Sequence, residues 1–106
     1  MARALLLQVP LVDERTAYLR LYDTALELER PAAAPRPEQE TTRLDYREIA
    51  RARLRAGPHL AALAIEDANG RVIHTVLGAA DARRVVAILR AHLPALVATG
   101  LPRREA

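Results

Sequence analysis

The sequence predicts an α/β fold: a single domain with a mixed four-stranded sheet, helices on its faces and the element order βαβαββα. Three observations lead there. The run "ALLLQV" at residues 4–9 is almost continuously apolar, as a strand buried on both faces would be. Two further apolar segments, "HLAALAIE" (59–66) and "RVIHTVL" (71–77), are joined by "DANG", in which Asn69–Gly70 supplies the positive φ angles of a tight hairpin. Between and after these segments, apolar residues recur at helical spacing. The 106 residues are 51% apolar, enough for one core, but the aromatics are three Tyr with no Phe or Trp. That core must therefore be built from Leu, Val, Ile and Ala.

Taken in order, Pro10 closes the first strand and Asp13 stands at an N-cap position ahead of "ERTAYLRLYDTALELER". There Tyr18, Leu21, Tyr22, Ala25 and Leu28 form a helical stripe, widened by Leu19 and Leu26 and stopped by Pro31. "PAAAPRPEQE" (31–40) reads as an extended, solvated connector. "TTRLD" (41–45) is a short strand candidate, and "DYREIARARLRAG" follows as a second helix. Its start is marked by a capping box, Asp45 with Glu48, and its stop by Gly57–Pro58. Tyr46, Ile49, Ala50 and Leu54 make its inward stripe.

The 59–66 strand is apolar on both faces and should be central; the 71–77 strand carries Arg71, His74 and Thr75 and should lie at or near an edge. Gly78 ends it and Asp81 caps a last helix lined by Val85, Ile88, Leu89, Leu93 and Leu96. Pro94 falls inside that pattern and predicts a kink or a restart of the helix there. Gly100 and Pro102 close the helix, leaving 101–106 as a loose C-terminal tail.

Composition removes several chemistries. Without cysteine there are no disulfides, thiolate metal sites or thiol redox steps. The three His (His59, His74, His92) show no metal-ligand spacing, so no metal and no cofactor is expected. All 16 basic side chains are Arg, yet the net charge is only +3; the high pI mostly reflects Arg in place of Lys. The apolar N-terminal run is too short to span a bilayer and lacks a signal-peptide cleavage site, so a cytoplasmic location without membrane attachment is expected.

The strand–turn–strand–Gly–helix run "PHLAALAIEDANGRVIHTVLGAADARRVVAILRAHL" resembles the back half of the thioredoxin family, and "ALLLQVPLVDERT" resembles its front half. The resemblance implies a thioredoxin-like fold lacking the Cys-x-x-Cys pair, whose place falls at Asp13 to Thr16. It also implies that Pro58 matches the family's cis-proline; Gly57–Pro58 reads equally as an ordinary trans helix stop. With its cysteines absent, the family's disulfide chemistry does not carry over, but its peptide-holding groove would.

That groove would be lined by Asp13, Glu14, Arg15, Thr16, Pro58 and His59. A second candidate is a basic face on the second helix, where Arg47, Arg51 and Arg55 recur every four residues with Arg43 and Arg53 nearby. With no aromatic residues interleaved for base stacking, nucleic acid is disfavoured as its ligand. Capping accounts for Asp13, and no catalytic constellation is visible. The functional expectation is therefore a non-catalytic, thioredoxin-like module that binds another protein or an extended peptide. The alternative is a small dimerising, roadblock-like regulatory adaptor, a homodimer formed through the 71–77 edge strand.

Overall fold

A computed structural model describes residues 4–12, 17–31 and 39–100. Strands β1 (Leu5–Pro10), β2 (Tyr18–Tyr22), β3 (Ala25–Pro31) and β4 (Gln39–Asp45) pair as an antiparallel meander in the order β1-β2-β3-β4. A 3-10 turn, Tyr46–Glu48, leads into β5 (Ile49–Ala56), β6 (Leu60–Asp67) and β7 (Val72–Gly78), then helix α1 (Ala79–His92) and β8 (Val97–Thr99). This second sheet has the order β7-β6-β5-β8 and is mixed, because β8 runs parallel to β5. Among the described residues the molecule is thus mainly β, with two four-stranded sheets and one α-helix near the C-terminal end. The expected α/β, thioredoxin-like order is overturned.

The first expected helix is a β-hairpin. In "YLRLY" and "ALELER" the side chains alternate: Leu19, Leu21, Leu26 and Leu28 are buried, while Tyr18, Arg20, Tyr22, Glu27 and Glu29 are half-buried on the other face. A period of two is the strand's own geometry. Each fully buried Leu contributes roughly 1.5–3 kcal/mol through lost water contact. These residues are strong helix formers in isolation, but that preference amounts to only a few tenths of a kcal/mol each. Burying four leucines on a single face outweighs it.

The second expected helix is the 3-10 turn followed by β5. The capping box is real in part, since Glu48 Oε1 accepts from the Asp45 N–H at 3.3 Å, but it caps one turn only. Beyond it "RARLRA" alternates strictly, with Ala52, Leu54 and Ala56 buried and Arg51, Arg53 and Arg55 exposed.

The "TTRLD" segment is a strand that starts earlier, at Gln39. Pro31 closes β3 rather than a helix and residues 39–40 of the Pro-rich connector belong to β4; its residues 32–38, the Asp13–Thr16 helix start and the 101–106 tail lie outside the described residues. β1 is an edge strand and is buried on one face, not on both as expected, with Leu7 and Val9 buried and Leu5 and Leu6 about half exposed.

The hairpin around Asn69–Gly70 forms as expected, with Gly70 at φ 84° and β6 central between β7 and β5. Asp67 anchors the turn through its carboxylate, which accepts from the N–H groups of Asn69 and Arg71 at 2.9 Å each. Helix α1 begins at Ala79 with Gly78 as N-cap; Asp81 lies in its first turn, 3.5 Å from Arg84. The helix stops at His92, before Pro94, so there is no kink. Proline cannot continue the hydrogen-bond ladder, and the chain turns off into β8. The inner faces of both sheets and the Ala82–Val85–Val86–Leu89–Leu93 side of α1 form one contiguous core.

Candidate functional site: the open face of the second sheet

The helix and the first sheet cover one face of the second sheet; the other faces outward. Register across it is fixed by the strand pairing. Arg53 lies opposite Ala64 on β6, Ala64 opposite His74 on β7, and Arg53 again opposite Val97 on β8. One row along, Arg55 is paired with Ala62 and Thr99, and Ala62 with Val76. On the other side Arg51 faces Glu66, which faces Val72. The face therefore consists of an Arg column on β5, a low track of Ala62 and Ala64 on β6, and a border of Val72, His74 and Val76 on β7. A shallow depression of about 240 Å³ lies over Ala64 between Arg51, Arg53, Val72 and His74.

Charge on this face is unbalanced. Three guanidinium groups meet one carboxylate, Glu66, which lies 3.4 Å from Arg51. Among the described residues Arg53 and Arg55 have no ion-pair partner. The side chains are exposed, so their field is screened beyond about 8–10 Å at ordinary salt and acts on a partner close to the sheet.

The outer face of the first sheet differs. There Arg20 donates to Glu29 Oε2 and Gln8 Oε1, each at 2.9 Å, and its guanidinium lies 5.9 Å from the Tyr18 ring centroid. The hydrogen bond that Arg20 donates to Glu29, opposed by desolvation, raises the pKa of Arg20. Arg43 sits 3.5 Å from Asp45. These cations are satisfied within the chain.

The structure places the sequence-predicted residues differently from expectation. Arg47 belongs to the 3-10 turn, beside Asp23, Arg43 and His92, so the expected four-residue stripe is broken. Arg51 and Arg55 do share a face, and Arg53 lies between them on it. Sequence reasoning missed Arg53 as the centre of the column and Ala62 and Ala64 as its floor; the alternation of "RARLRA" carried that signal.

Asp13, Glu14, Arg15 and Thr16 lie outside the described residues. Pro58 and His59 sit in the β5–β6 connection, where the Gly57 N–H donates to the Leu60 carbonyl at 2.7 Å; no helix precedes them. The His59 carbonyl accepts from the Ala79 N–H at 2.9 Å, which places this loop at the start of α1.

The 71–77 segment does lie at a sheet edge. Two of its outward carbonyls are engaged within the chain: Val76 accepts from the Val12 N–H at 3.0 Å, and His74 accepts from Arg30 Nη2. Among the described residues no three His, Asp or Glu side chains gather as a metal site, and no helix is long and apolar enough to cross a membrane.

Compared with known proteins, the chain matches no family model and no curated protein.

Proposed function

We propose that this chain is a non-catalytic binding module that docks an acidic protein surface on the outer face of its second sheet. The observation that carries the reading is the Arg51–Arg53–Arg55 column, two of whose members lack a counter-charge among the described residues, on a face that no described element covers. Flanking apolar side chains, with Val72 and Val97 about half exposed, supply the contact area that charge alone lacks. A nucleic acid would want aromatic platforms beside the cations. Tyr18 and Tyr22 stand on the other sheet and Tyr46 is buried, so none is available here. A second copy seated face to face would oppose one Arg column to another.

The test is titration with a poly-glutamate peptide followed by amide NMR. Shifts should map to β5, β6 and β7, weaken as salt rises, and be lost in Arg53→Glu/Arg55→Glu. Shifts confined to other parts of the surface, such as Arg83 and Arg84 on α1, would overturn the reading.

A further inference from the structure

We infer that the segment seated on this face is an α-helix lying along β6, with carboxylates four residues apart on the flank that faces β5. This rests on the binding reading above and specifies its partner. Three dimensions support it. The Arg column and the Val72–Val76 border stand two strands apart, about 9–10 Å at the usual interstrand spacing. A helix with its side chains is about 10–12 Å across. Between the two borders the floor is Ala62 and Ala64, whose single methyl groups let a helix rest across the borders without a bulky side chain beneath it.

Along the sheet, Arg53 and Arg55 are two residues apart on one strand, so their Cα atoms are separated by about 6.6–6.8 Å. Carboxylates at i and i+4 of a helix rise by about 6 Å. Each would meet one guanidinium that has no ion-pair partner among the described residues, and an adjoining apolar stripe would rest on Ala62, Ala64 and Val76. At the far end the Arg51–Glu66 pair closes the row and offers no net charge to a third carboxylate.

An extended segment could match the same charge spacing, but its backbone would lie over alanine and valine with its N–H and C=O groups unpaired. Desolvating them is unfavourable. Strand addition at β7 would first have to displace Val12 and Arg30 from the Val76 and His74 carbonyls. A helix satisfies its own backbone and needs only a face.

The experiment compares three synthetic 16-residue peptides of equal composition and charge, plus an oligouridine, by fluorescence anisotropy and amide NMR on the whole chain. The first peptide is helical, with Glu at i and i+4 beside a Leu/Ala stripe. The second is helical with those Glu residues moved to the opposite face, and the third has its residues reordered around a central proline. The first should bind at least tenfold more tightly than the other two, perturbing Ala62, Ala64 and Val76. Arg53→Gln/Arg55→Gln should remove that preference, and Arg53→Glu/Arg55→Glu should transfer it to a Lys version of the first peptide. Equal binding of all three at this face would overturn the helix while leaving the binding reading intact. Failure of every acidic peptide to bind there, or tighter binding of the oligouridine, would overturn both.

Discussion

The ring of Tyr46 lies stacked on that of His92, with centroids 4.5 Å apart and planes 13° from parallel. One ring belongs to the 3-10 turn that carries the chain from the first sheet to the second; the other ends helix α1. The Tyr46 hydroxyl donates to the Tyr22 carbonyl at 2.7 Å, and its backbone N–H to the Thr24 carbonyl at 3.0 Å. A single side chain thus joins β2, the inter-sheet turn and the helix. Truncating His92 to Ala should cost about 0.5–1.5 kcal/mol from the lost ring pair, measurable by urea denaturation.

Burial, aided by the charge of Asp23, pushes the Tyr46 hydroxyl up to about 12 from its ordinary value of 10.0. The folded protein therefore holds this proton more tightly than the unfolded chain. The resulting stability is fully present below pH 10 and is lost as pH rises towards 12. Tyr46→Phe should remove that alkaline loss. At neutral pH it should cost about 1 kcal/mol, because the Tyr22 carbonyl loses its donor. Urea midpoints across the pH 8–11 range check both effects; an unchanged alkaline slope in the variant would count against this role.

Thr75 is 1% exposed, and its hydroxyl has no hydrogen-bond partner among the described groups. Valine has the same shape without the polar atom. Thr75→Val should raise stability by about 1 kcal/mol, read as a higher denaturation midpoint at unchanged slope.

Gly100 follows β8 with φ 79°, and a Cβ there would lie 2.1 Å from the Ala56 carbonyl oxygen. That oxygen is backbone at the end of β5 and cannot yield cheaply. Gly100→Ala combines this clash with an unfavourable φ and should cost about 1–3 kcal/mol. Hydrogen exchange should quicken first around β8.

Tolerance along β5 should alternate. Arg53→Asp and Arg55→Asp place charge in solvent and should shift stability by no more than about 1 kcal/mol each. Ala52→Asp or Leu54→Asp would bury an unpaired carboxylate in the core and should abolish folding. A four-residue rather than two-residue rhythm in an aspartate scan would contradict the strand.

The features legible in the sequence are those that local chemistry decides. Asn69–Gly70 permits positive φ at a tight turn, so the β6–β7 hairpin forms where expected. The apolar stripe of Val85, Ile88 and Leu89 lies four to three residues apart and has no period-two reading, so α1 forms. Pro94 marks where the helix is disturbed, but α1 ends before it instead of continuing to Gly100 as expected. Asp45 with Glu48 can cap a turn, and it does.

Elsewhere two periods compete within one segment. Leu19, Leu21, Leu26 and Leu28 can be drawn on a broad helical stripe or on one face of two strands, and Arg51 and Arg55 share a face in either reading. Leu, Ala, Arg and Glu all favour a helix when alone, which is why the pattern misleads. The tertiary structure decided the matter because β1, β4, β6 and β8 offer ladder partners, and the shared core buries Leu19, Leu21, Leu26, Leu28, Ala52 and Leu54 almost completely. Pairing and burial act between segments distant in the chain, and their summed gain exceeds a local preference of tenths of a kcal/mol per residue. The same pairing turned Arg53 from a bystander into the middle of the exposed column.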